Sequence, residues 1–114
     1  MTFQSEIVIQ EGVQQVTLSG RLDSATSSGL EKTLQTLFET SGTRTLIDFS
    51  ALSYVSSAGL RVVLMAAKRA KQSQGRLVLC GLLPHVREVF EISGFLKILD
   101  VVDTKAAAMA HLVG

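Results

Sequence analysis

The chain is short of several things, and each shortage removes a class of function. It has one cysteine in 114 residues, so no internal disulfide can form and the composition fits a reducing compartment. Cys80, at the end of an apolar run, reads as a small buried side chain. The two histidines, His85 and His111, are distant from each other and from Cys80, and form none of the spacings that hold zinc. Ser57 lies at a strand-to-helix turn, but Val55 stands where a Gly-x-Ser-x-Gly elbow needs its first glycine. Both histidines fall on expected surface helices, so Ser57 has no evident base. Gly59 is isolated, and no phosphate-cradling glycine run is present. Neither catalytic residues, nor a metal, nor a cofactor is therefore expected. A formal net charge of +1 provides no concentrated basic footprint for direct nucleic-acid binding. No apolar run approaches the length of a membrane span, so no membrane insertion is expected. The opening Met1-Thr2-Phe3-Gln4-Ser5-Glu6 has neither a basic nor an apolar signal region, and the expected location is cytoplasmic.

What the chain does have is a globular composition, 46% hydrophobic and 18% charged, in a length suited to a single domain over residues 1–114. Ile7 and Ile9, then Val16 and Leu18, recur two apart on either side of Gly12, the period-two pattern of a hairpin. Leu30, Leu34, Leu37 and Phe38 follow the helical i, i+4, i+7, i+8 pattern, with Ser28 and Glu31 spaced as a capping box. The start of that helix could also lie near Asp23 or Ser24, and Ser41-Gly42 ends it. Thr45–Phe49 reads as a strand covered on both faces. A second helix is predicted from about Ser57 to Gln74, with Leu60, Val63, Leu64, Ala67 and Ala70 inward. Arg76–Cys80 reads as a buried strand, and Pro84 suits the first turn of a helix carrying Val86, Val89 and Phe90. Leu96, Ile98, Leu99 and Val101 offer an edge strand, and Thr104 caps a last helix. The order β-β-α-β-α-β-α-β-α implies an α/β fold: a mixed, mostly parallel sheet of about five strands with about four helices, which crowd one side.

The chemically loaded stretch is Tyr54-Val55-Ser56-Ser57-Ala58-Gly59-Leu60. It places two hydroxyls at the first turn of a helix, where free backbone N–H groups and the positive end of the macrodipole favour a phosphate. A serine at a helix start is also an ordinary cap. Capping uses one hydroxyl, and the residues alone leave both readings open for the other.

The chain resembles the STAS domain family of sulfate-transporter and anti-sigma-factor-antagonist modules, and within it the free-standing bacterial antagonists. Gly20-Arg21-Leu22-Asp23 matches the family's glycine-to-aspartate motif after the second strand. Ile47 to Leu60 matches its strand, loop and phosphorylation-site helix, and Val89-Phe90-Glu91-Ile92-Ser93-Gly94-Phe95 matches its third helix and stop. The resemblance implies that a serine kinase of the histidine-kinase-like ATPase fold modifies Ser57, two positions before Gly59, with Ser56 the second choice. Related antagonists usually carry Asp where this chain has Ser56. It further implies a partner-switching regulator, without catalysis of its own. Such a regulator binds an anti-sigma factor/serine kinase when unphosphorylated, releases it when phosphorylated, and is reset by a serine phosphatase. Leu22, Asp23, Ser56, Ala58 and Arg61 are the expected docking surface. The alternatives are a STAS subunit of a membrane transport complex and a module binding a small ligand such as a nucleotide.

Overall fold

Glu11 and Gly12 both take positive φ, 53° and 77°, in the two-residue turn that opens the fold. A turn with both central residues in that region matches the right-handed twist of the strands it joins. The flanking strands are β1 (Gln4–Gln10) and β2 (Val13–Leu22), paired antiparallel with Gln10 opposite Val13. The remaining elements of this computed structural model, which describes residues 3–113, alternate helix and strand. They are α1 (Ser27–Leu37), β3 (Arg44–Val55), α2 (Ser57–Gln72), β4 (Arg76–Cys80), α3 (Pro84–Ile92), β5 (Asp100–Val102) and α4 (Lys105–Val113), with a 3-10 turn at Phe95–Lys97 before β5. The five strands lie in sequence order in one sheet, and every pair after the opening hairpin is parallel. This is the mixed, mostly parallel α/β sheet that the sequence pattern implied.

Alternation along the central strands divides the core. Val16, Leu18, Ile47, Phe49, Leu77 and Leu79 face the helices α1, α2 and α3 on one side of the sheet. Val13, Leu46, Val78 and Cys80 face α4 on the other, against Ala108 and Leu112. Three helices crowd one face, as expected for a chain of this length. Phe49 and Phe90 meet edge to face at 5.9 Å, an aromatic geometry that locks α3 onto β3.

Several boundaries differ from those read in the sequence. Helix α1 begins at Ser27 after Thr26, whose side chain caps nothing, so the Ser28/Glu31 spacing is not a capping box. It ends at Leu37, with Phe38 buried as its C-cap. Val62 and Ala66 of α2 are more deeply buried than Leu64 and Ala67, because α2 packs on α1 as well as on the sheet. The predicted edge strand over Leu96–Val101 is displaced: Leu96 lies in the 3-10 turn, Ile98 is exposed, and β5 starts at Asp100.

The largest difference is β3, which continues six residues past Phe49, up to Val55. Its register against β2 slips twice: Thr17 pairs with Asp48 but Ser19 with Ala51, and Gly20 pairs with Leu52 but Arg21 with Tyr54. Each slip inserts one extra residue into β3. Its buried positions there are Phe49, Leu52 and Val55, every third residue, rather than the alternation that marks a strand.

Candidate functional site

Strands β2 and β3 run parallel and finish side by side, with Leu22 opposite Val55. Each then leads towards a helix N-terminus, at the end of a parallel sheet where ligands and partners are commonly met. The Ser56 N–H donates to the Leu22 carbonyl at 2.8 Å, tying the start of α2 to the end of β2. Farther back, the Ser53 hydroxyl donates to the Gly20 carbonyl at 2.9 Å. The Ser53 bond lies at the second register slip, and the Ser56 bond follows the last pair of the two strands.

The two serines divide the work at the helix start. Ser56 is the N-cap, with extended backbone, and its Oγ accepts from the Gly59 N–H at 3.2 Å. This satisfies one of the donors that every helix N-terminus leaves open. Ser57 is the first helical residue, is exposed, and makes none of the side-chain hydrogen bonds seen among the described residues. No acidic residue occupies the first turn of α2, so the macrodipole there is not neutralised by a side chain.

Gly59 shows why the helix can start so close to β2. A Cβ there would stand 2.7 Å from Leu22 Cγ and 3.1 Å from the Leu22 carbonyl oxygen. Leu22 itself is fully buried. It therefore does not belong to the exposed docking surface expected of it; it is the floor on which Ser56 and Gly59 rest.

Asp23 follows Leu22 and builds the connection to α1. Its Oδ1 accepts from the Ala25 N–H at 3.0 Å and the Thr26 N–H at 3.1 Å, a local turn closed by the side chain. The Thr26 hydroxyl accepts from the Asp23 N–H at 2.9 Å, and its own proton lies within reach of Asp23 Oδ1 and the Arg21 carbonyl. The Thr26 N–H is the main cause holding the Asp23 carboxyl below its ordinary value of 3.8. Desolvation opposes it, while the Thr26 hydroxyl, the Ala25 N–H and the Arg21 charge assist. Arg21 lies over the Tyr54 ring at 4.1 Å from its centroid, a cation–π contact that braces the last exposed side chains of β2 and β3.

Ala58 is half-buried and Arg61, one turn beyond Ser57, is exposed. Ser56, Ser57, Ala58 and Arg61 thus share the first turns of α2, with Asp23 leaving the adjacent strand end. The contacts made by Thr26, Arg21, Tyr54 and Ser53 come from the tertiary structure. The Asp-x-x-Thr spacing was the available signal for Thr26; the others depend on strand register. His85 Nε2 contacts the Ser53 carbonyl oxygen, so that ring is engaged by the strand backbone. Among the described residues no cluster of three potential metal ligands exists, and no helix is long and apolar enough to cross a membrane.

A five-stranded, mostly parallel sheet with one antiparallel hairpin and four helices is an α/β module of STAS type. The family model described as "Mlab, STAS domain" matches residues 6–102, and the chain belongs to the STAS domain family. A protein of Bordetella bronchiseptica, BtrV, which carries the name of an anti-sigma factor antagonist, is 49% identical over 88% of this chain and 86% of its own. The crystal structure of an anti-sigma factor antagonist from Mycobacterium paratuberculosis superposes with a TM-score of 0.90 at 21% identity, covering 99% of this chain and 96% of that one. The Bacillus cell fate determinant SpoIIAA in its phosphorylated form superposes with a TM-score of 0.70 at 24% identity, covering 96% and 98%.

Proposed function

We propose that this chain, acting as one cytoplasmic domain without catalysis or cofactor of its own, is an anti-sigma factor antagonist controlled by phosphorylation of Ser57. Unphosphorylated, it binds an anti-sigma factor/serine kinase of the histidine-kinase-like ATPase fold; phosphorylated, it releases that partner; a serine phosphatase restores binding. The observation that carries this reading is the division between the two serines. Ser56 supplies the cap, which leaves the exposed Ser57 hydroxyl free to accept a phosphate without unmaking the helix start. The Bordetella relative supports the antagonist role through its name and 49% identity. The phosphorylated SpoIIAA structure supports the compatibility of this fold with a phosphate.

The switch needs no refolding. A phosphate adds about −1.5 to −2 charges beside open helix N–H groups, which tolerate it in the free protein. In a close interface the same charge meets desolvation and repulsion. Asp23, Ser56, Ala58 and Arg61 frame the docking surface, while Leu22 supports it from beneath.

The test is affinity purification of the partner, followed by incubation with ATP and mass spectrometry. The phosphate is expected on Ser57, lost in Ser57→Ala, with Ser57→Asp binding the partner more weakly than wild type. Modification centred on Ser56, or recovery of a transporter ATPase subunit with no kinase, would overturn the reading.

A further inference from the structure

Along the flank of α2, from Arg61 to Lys71, a groove of about 530 Å³ lies between the helix and the segment from Phe95 to Leu99. Its floor is apolar. Leu64 and Phe95 are half-buried against the core, and Ile98 stands in its wall 71% exposed to solvent. Arg61, Lys68 and Lys71 form its helix-side rim, and no carboxylate lines it. The ion pairs among the described residues are Arg76–Asp100 and Arg87–Glu91, so all three rim cations are unpaired. A second hollow of about 290 Å³ shares Lys71 and Ile98 and prolongs the groove towards Gly75, where its lining includes Arg76 and Asp100, an ion pair.

We propose that this groove docks an acidic amphipathic helix of a partner protein, on a surface that meets the proposed docking surface at Arg61 and runs from there away from the Ser57 hydroxyl. The placement of charge selects this occupant. Lys71 lies ten positions beyond Arg61 on α2, about 15 Å at ~1.5 Å per residue. A single-headed anionic amphiphile engages one of these cations and leaves the others unused. A helix with carboxylates at successive turns engages all three, while its apolar face fills the floor beside Leu64 and Ile98. The groove is open along one side, which suits a helix whose outer face stays in water. Burial at Ile98 and Leu64 supplies most of the affinity; the cations supply selectivity for an acidic partner and a faster encounter.

The test uses isotope-labelled full-length protein and three probes: a designed amphipathic helix with Leu on one face and Glu along its flank, the same peptide with Lys for Glu, and dodecanoate. The Glu peptide is expected to shift the amide signals of Leu64, Lys68, Lys71 and Ile98, with the Lys peptide about tenfold weaker or more. Ile98→Glu and the double variant Lys68→Glu/Lys71→Glu should each lose binding by about tenfold with unchanged thermal unfolding, since these side chains are exposed. Ser57→Ala should leave peptide binding unchanged, so failure here is distinguishable from failure of the phosphoswitch. The absence of shifts at millimolar Glu peptide, equal binding of both peptides, or binding of dodecanoate alone would overturn the proposal.

Discussion

The Oγ of Ser56 accepts the Gly59 N–H at 3.2 Å, and this bond makes the first of two adjacent serines structural. Its neighbour Ser57 has no such duty. Ser56→Ala should therefore destabilise the protein by about 1 kcal/mol, the usual cost of losing a cap. Ser57→Ala should change stability by less than about 0.5 kcal/mol, as for an ordinary surface site. Chemical denaturation of both variants checks this, and equal losses would remove the division of labour on which the phosphoswitch rests.

Gly59→Ala should destabilise the domain even though alanine favours helix. The added carbon would stand 2.7 Å from Leu22 Cγ and 2.9 Å from its Cδ2, inside a fully packed region. Overpacking of that kind costs about 1–3 kcal/mol, against roughly 1 kcal/mol gained from propensity. A variant as stable as wild type would show that Leu22 can yield.

Asp23 should contribute to the acid limb of stability. Its folded pKa is lowered below 3.8, chiefly by the Thr26 N–H. The unfolded state therefore takes up the proton first as pH falls. The contribution is present above the unfolded value and is lost as pH drops through the folded one. Asp23→Asn, which keeps an acceptor but cannot ionise, should show a shallower loss of Tm below pH 4 or so. Superimposable acid limbs would contradict this.

Cys80 should be chemically silent in the native protein. Burial first, and the Asp48 charge second, push its thiol from 9.0 to about 11, with Lys105 pulling the other way. Since the thiolate is the reactive form, a disulfide reagent at pH 8 should label Cys80 only as fast as the protein unfolds. The same shift predicts a loss of stability as pH rises from about 9 towards 11, where the unfolded chain gives up the proton first. Rapid labelling of the folded protein would refute the burial argument.

Thr45 is fully buried in β3, and its hydroxyl has no hydrogen-bond partner among the described residues. Thr45→Val keeps the shape and removes the unpaired group. It should stabilise the protein by about 1 kcal/mol; a clear loss would mean the hydroxyl is satisfied in solution.

The residues alone determined the class of fold, because the decisive signals are local. Alternation at Val16/Leu18, and the spacing of Leu30, Leu34 and Phe38, reflect which face of a strand or a helix is buried, whereas Ile7 and Ile9 stay exposed on the edge strand β1. Chain order then restricts how such elements join. The serine pair before Gly59 was also legible as a loaded helix start. Sequence could not assign the cap, since that requires Ser56 to take extended backbone, which its hydrogen bond to Leu22 helps to hold. Nor could it show β3 reaching Val55, because two register slips against β2 convert alternation into burial at every third residue. Leu22 is expected around Ser57 at the docking surface, and nothing in its sequence neighbourhood marks it as buried. Only in three dimensions does the missing side chain of Gly59 bring α2 down onto it, so that packing, not sequence neighbourhood, decides which residues a partner can touch.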